Sequence, residues 1–209
     1  MQSAMSFLAF LIAALVLAIT PGPGIAYVVA RTVAGGRAEG LASCVGTGIG
    51  GLLHVLAAAV GLSLLVAQSA VVFNLIKILG AAYLVYLGLR MLLRRHSPTM
   101  MASVESAGAR KALFEGILVE ATNVKTALFF LAFLPQFTEP REALVPQVVL
   151  MGILCVMLNT LADIAAVLAA HRLLASGPAR AARERWMTQA CGMTMLGLGV
   201  FLGLTRREL

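Results

Sequence analysis

Charge is what this sequence has least of. Only 12% of its 209 residues are Asp, Glu, Lys or Arg, against about 25% in a soluble domain. So few charges cannot clothe a water-facing surface. With 60% of the residues hydrophobic, the apolar surface is expected to face lipid. Cysteine is scarce too: Cys44, Cys155 and Cys191 each lie inside an apolar run without metal-ligand spacing. They read as small buried apolar side chains, not as a disulfide framework. There is no Walker sequence, no metal-binding cluster and no nucleophile–base motif, which argues against an ATP-driven pump and a conventional hydrolase. No cofactor is expected. The first 20 residues lack a basic leader region and run into Pro-Gly-Pro, so they read as a membrane helix and not as a signal peptide.

What the sequence does have is long apolar runs. Six stretches approach or exceed the roughly 20 residues a span needs: 5–30, 41–67, 70–93, 113–134, 145–170 and 187–204. The expectation is an all-α membrane protein of six transmembrane helices in one membrane domain. Residues 1–93 form its first half, 94–112 a cytoplasmic loop and 113–209 its second half. Spans two and three are joined tightly at Gln68-Ser69, as a helical hairpin. Residues 94–111, with Pro98 and several Ser, read as a polar loop.

The net charge of +7 raises nucleic acid as a partner, but the basic residues sit in short runs between apolar stretches, the pattern of membrane loops. After spans one, three and five come Arg31, Arg37, Arg90, Arg94, Arg95, Arg110, Lys111, Arg172, Arg180, Arg183 and Arg185; the other side has Arg141, Arg206 and Arg207. The first group is expected in the cytoplasm, with both termini outside, in a bacterial inner membrane. Three spans per half make the halves point oppositely, as in transporters built from inverted-topology repeats.

Each half has an interruption in its first span. The first is Thr20-Pro21-Gly22-Pro23-Gly24. Proline removes a backbone donor and clashes with the preceding turn, so the helix should break here, against protein or a watery cavity. A packing kink is the bland alternative; a cluster of two prolines and two glycines favours a binding break. The second is Asn123-Val124-Lys125, polar in mid-span and expected to face the bundle interior.

Three more ionisable residues lie inside spans: Lys77, Glu120 and Asp163. Such groups are functional candidates by default. Lys77 either snorkels to the outer face or lines the path. Asp163 is too short to snorkel. A poorly hydrated carboxylate favours its neutral form and can load a proton, which would suit proton coupling. Glu120 could share that proton if its helix touches that of Asp163. Lys77 and Lys125 are placed nearer the outer face, where they would attract a substrate carboxylate. His54 reads as a hydrogen-bonded core histidine. Gly46 and Gly50 form a GxxxG pair, with Gly48 and Gly51 beside them. Such a face serves close helix packing, either within one chain or in a homodimer.

These residues carry a resemblance. Ile19-Thr20-Pro21-Gly22-Pro23 with Gly36-Arg37 and Gly40, then Lys77 with Gly80-Ala81-Ala82-Tyr83-Leu84 and Tyr86-Leu87-Gly88, then Leu128 to Phe137 (LFFLAFLPQF), follow in an order and spacing similar to the LysE/RhtB family of amino-acid exporters. The resemblance covers nearly the whole chain. It implies efflux of amino acids or close derivatives driven by the proton gradient. The family usually has Asn-Pro-Lys where this chain has Asn123-Val124-Lys125, so a softer second break and a shifted substrate preference are expected. Substrate binding is assigned to Thr20, Pro21, Gly22, Pro23, Asn123, Lys125 and Lys77, and proton coupling to Asp163 and Glu120. Two other classes compete: a membrane-embedded enzyme, which would need a catalytic cluster, and a structural subunit, which would not need broken helices and buried charges in both halves.

Overall fold

The computed structural model describes residues 4–68, 70–93, 105–139 and 143–173, and the isolated helical positions 189, 193, 196, 197, 199, 200, 203 and 204. The described residues contain helices and no strand. Helix α1 is Ala4–Ile19, α2 Pro23–Gln68, α3 Ala70–Leu93, α4 Ala109–Ala121, α5 Val124–Leu128 and α6 Leu144–Leu173. Helix α5 continues through a π-helical turn, Phe129–Phe133, and a 3-10 turn, Leu134–Phe137.

Helix α2 is not one rod. Gly36 has φ 77° and ψ −172°, a region open in practice only to glycine. Val28 packs with Cys44 and with Val167 of α6, although 16 residues of straight helix would separate the first two by about 24 Å. The chain therefore folds back at Gly36 into two arms, residues 23–35 and 37–68. The connection expected over residues 31–40 is helical on both sides of a one-residue turn.

The first five expected spans are helical. The stretch expected as span one holds α1 and the short arm of α2, broken after Ile19; the stretch expected as span two holds the long arm. Among the described residues, Leu144–Ala170 and Pro23–Gly61, the latter containing the Gly36 turn, are long and apolar enough to cross a membrane, and Ala109–Ala121 with Val124–Phe137, bent by 43°, pass the same test when taken together. Met5–Ile19 and Ile78–Arg90 are shorter apolar helices. Span six falls mostly outside the described residues. Of it, residue 199 lies on α3: a Cβ there would stand 2.9 Å from the Ala81 carbonyl oxygen. The polar loop expected over 94–111 is partly helical, since α4 begins at Ala109; residues 94–104 lie outside the described residues.

Large apolar side chains fill the core and also cover the outer surface. Leu8, Ile12, Leu15 and Ile19 on α1, and Leu150, Ile153, Met157, Leu161 and Leu168 on α6, are exposed, at helical spacing along one face. Thr20, Arg31, Glu39, Thr47, Glu120, Asn123, Lys125 and Asp163 are all buried. Lipid on the outside and polar groups within fit this pattern.

Small residues bring the polar segments together. A Cβ at Gly50 would stand 2.7 Å from the Ile117 carbonyl oxygen, and one at Gly116 would stand 3.3 Å from Gly46 Cα. The GxxxG face is therefore filled by α4 of the same chain, which removes it as ground for a homodimer. Gly48 and Gly51 turn the other way, towards Thr160 and Val156 of α6. Beyond the second break, the rings of Phe129, Phe133 and Phe137 follow each other at centroid distances of 5.2 and 5.4 Å, and Phe10 of α1 meets Phe137 at 5.9 Å. Cys44 and Cys155 are buried free thiols, as expected; Cys191 lies outside the described residues.

Candidate functional site

The first break begins with a missing donor. The Leu17 carbonyl looks four residues ahead to Pro21, which has no N–H, and α1 stops at Ile19. The Thr20 amide turns back to the carbonyls of Val16 (3.1 Å) and Leu17 (3.3 Å). Pro23 then opens α2 at a first helical position, where proline is favoured, and the Gly22 carbonyl accepts from the Ala26 amide at 3.0 Å.

The second break needs no proline. Asn123 leaves the helix (φ −73°, ψ 102°), and its Oδ1 accepts from the Lys125 amide at 3.1 Å. That is an N-cap, which satisfies one orphan donor of the new helix. The Glu120 carbonyl, left at the end of α4, accepts from the Asn123 amide at 2.9 Å and from His54 Nε2 at 2.8 Å. The carbonyl partner assigns the His54 proton to Nε2. The Glu120 side chain reaches forward over the break: Oε2 accepts from Asn123 Nδ2 (3.0 Å) and Oε1 from Thr126 Oγ1 (2.6 Å).

The two breaks lie against each other. Lys125 Nζ donates to the Leu17 carbonyl at 3.2 Å and to the Thr20 carbonyl at 3.0 Å. A cation there also meets the negative end of α1. Two glycines make the approach possible: a Cβ at Gly22 would stand 3.1 Å from Lys125 Nζ, and one at Gly24 would stand 2.8 Å from Glu120 Oε2. Asp163 of α6, 5% exposed, closes the group, with Oδ2 2.8 Å from Thr47 Oγ1. Thr47, Glu120, Asn123, Lys125, Asn159 and Asp163 line one small cavity, about 370 Å³ when the open space at its mouth is included.

Charge decides what this cavity can do. Glu120 and Lys125 are both within electrostatic reach of Asp163, and all three are buried. Two acids and one base balance only when one acid holds a proton, and an unbalanced buried charge is costly. Thr47 suits Asp163 in either state. Its hydroxyl also stands 3.1 Å from the Cys44 carbonyl. An ionised Asp163 accepts a hydrogen bond from the Thr47 hydroxyl; a protonated Asp163 donates to Thr47 Oγ1, which then donates to the Cys44 carbonyl.

A second buried polar cluster sits at the Gly36 turn. The Arg31 guanidinium pairs with Glu115, bonds the Glu105 carbonyl at 3.1 Å and the Tyr27 hydroxyl at 3.2 Å, and lies 3.9 Å from Glu39 Oε2. Glu39 Oε1 accepts from Ser106 Oγ (2.6 Å) and from the amides of Ala107 (3.1 Å) and Gly108 (2.7 Å). The cluster ties the turn to the start of α4.

The structure thus brings Gly22, Asn123, Lys125, Glu120 and Asp163 together, with Thr20 reached through its carbonyl. Lys125, expected to face the bundle interior, is buried and shares the cavity with Asp163, beyond the 43° bend and paired with α1. Lys77 lies on α3, and its side chain falls outside the described residues. His54 is hydrogen-bonded, as expected, at the broken end of α4. Sequence reasoning missed Thr47, Thr126, Asn159 and Thr160. Thr47 had one available signal, a hydroxyl inside the glycine run Gly46 to Gly51. The Arg31–Glu39–Glu115 cluster was legible only as loop charge.

The model of the LysE type translocator family matches residues 15–206. The chain belongs to that family. This LysE-type translocator is 30% identical over 204 residues, 96% of this chain and 97% of the relative, to an uncharacterized membrane protein of Vibrio cholerae. It is 27% identical to a homoserine/homoserine lactone efflux protein of Salmonella typhi, over 95% of this chain and 96% of that one. It is 29% identical over 136 residues, 65% of this chain and 64% of the relative, to a leucine efflux protein of Salmonella choleraesuis. No solved structure matches it. Membership makes it a multi-pass membrane translocator and removes the enzyme reading.

Proposed function

We propose that this LysE-type translocator exports an amino acid or a close derivative across the bacterial inner membrane in exchange for protons. The observation that carries the reading is the meeting of two helix breaks over one buried cavity that holds Lys125, Glu120 and Asp163. Broken helices expose dipole ends and unpaired carbonyls to charged groups of a substrate. The efflux relatives, with homoserine, homoserine lactone and leucine in their names, support a small amino-acid substrate.

In this reading Thr20, Pro21, Gly22, Pro23, Asn123, Lys125 and Lys77 serve substrate binding. Asp163 carries the coupled proton, with Glu120 as its acidic neighbour. The two halves are inverted repeats, each contributing one break, and both termini lie outside the cytoplasm. Uptake of a radiolabelled amino-acid panel into inverted membrane vesicles tests the function. An acidic lumen should drive accumulation of at least one amino acid above vesicles lacking the protein. No accumulation of any member would reject it.

A further inference from the structure

The contact between Lys125 and α1 has a chemical meaning that its structural role does not exhaust. Its acceptors are the carbonyls of Leu17 and Thr20, at the negative end of α1. The Leu17 carbonyl faces a proline at the helical partner position, so it keeps acceptor capacity for a group from outside α1. What sits on these oxygens is a primary ammonium on a flexible four-carbon tether. An α-amino acid carries the same group, with a carboxylate beside it.

We infer that the Leu17 and Thr20 carbonyls are the seat of the substrate's ammonium group, and that Lys125 and the substrate exchange partners there. The substrate ammonium takes the two carbonyls; the Lys125 ammonium swings to the substrate carboxylate. The inference rests on the proposed export of amino acids and specifies which atoms read them. The space is prepared for such exchange. Gly22 leaves the Lys125 ammonium room to approach and leave the break, since a Cβ there would crowd Nζ at 3.1 Å, and the Glu120 carboxylate lies at the neighbouring glycine, Gly24.

Specificity follows from charge. An amine without a carboxylate could displace Lys125 but would bring no carboxylate to receive it, and the two acids of the cavity are already held by Asn123, Thr126 and Thr47. The resident lysine therefore rejects plain amines and admits zwitterions. A quaternary ammonium keeps the positive charge but has no N–H to donate to the carbonyls. It too should be rejected.

The test uses the full chain in proteoliposomes. Counterflow of leucine and of homoserine is measured first, then extended to the other amino acids if neither exchanges. For the one that exchanges, three competitors are compared: the parent amino acid, its decarboxylated amine and its N,N,N-trimethyl betaine. In the wild type, both modified competitors should inhibit at least 10-fold more weakly than the parent. In Lys125→Met, binding of the amine, read by thermal shift, should rise relative to the parent amino acid. The wild-type comparison stands even if that variant does not fold. A betaine that competes as well as the parent would overturn the inference and leave export intact. A folded Lys125→Met that prefers the amino acid over the amine as the wild type does would also overturn it. Failure of every amino acid to exchange would reject export itself, and the inference with it.

Discussion

At the scale of single residues, the cavity is organised around Asp163. Its intramembrane position was legible because an acid in residues 158–170 has no apolar reason to be there. The hydroxyl of Thr47 that meets it was not legible, because no sequence spacing relates positions 47 and 163. Asp163→Asn keeps the size and a hydrogen bond to Thr47 but cannot ionise. Gradient-driven accumulation should be lost while substrate counterflow persists, measured side by side in the same vesicles. Unchanged pH-driven accumulation would move the coupling role to Glu120. Thr47→Val removes a hydrogen bond that Asp163 has in both protonation states, and such a bond is worth more to a charged group than to a neutral one. The pH profile of transport should therefore change. A profile identical to wild type would show that Thr47 does not act on the coupled proton.

At the scale of elements, both breaks were visible as motifs, but their chemistry differs. Pro21 breaks the first by removing a donor. The second lacks the proline usual in the family and is made by the Asn123 cap. Val124 occupies the first helical position and is 43% exposed. Its N–H is one that a helix start leaves without an intrahelical partner, and Asn123 is already in the extended conformation that proline demands of its predecessor. Val124→Pro should therefore raise thermal stability by about 0.4–1 kcal/mol, read as the midpoint in a detergent-solubilised melt. A drop would show that the Val124 amide is in use. The turn at Gly36 was hidden for the opposite reason. A single residue carries it, between two helical arms, so the expected ten-residue connection shrank to one. Gly36→Ala meets no neighbour within 4 Å and so tests backbone conformation alone. It should cost about 1–3 kcal/mol in the same melt.

At the scale of the whole molecule, apolar composition and run length revealed helices and lipid exposure, while the pairing of helices came from the fold. The sequence left open whether Gly46 and Gly50 pack within the chain; they close on Gly116 of α4. That contact brings Glu120 up to Gly24, and the fold-back at Gly36 brings Thr47 to Asp163. The Arg31 cluster holds the same fold-back from its other end. Arg31 and Glu39 have side chains only 7% and 5% exposed, so Arg31→Met would strand a buried carboxylate. Removing one partner of a buried pair typically costs about 3–5 kcal/mol. The loss should appear as a lower melting midpoint, partly restored by adding Glu39→Gln. A midpoint equal to wild type would show that the cluster contributes no net stability.

In the proposed function, one cavity exchanges an amino acid for a proton. Purified protein in liposomes loaded with a pH-sensitive dye, with substrate added on the cytoplasmic side, reads that exchange directly. The lumen should turn alkaline as the amino acid enters, and Asp163→Asn should abolish this signal while still exchanging labelled for unlabelled substrate. Amino-acid entry with no change in lumenal pH, under clamped membrane potential, would contradict that exchange.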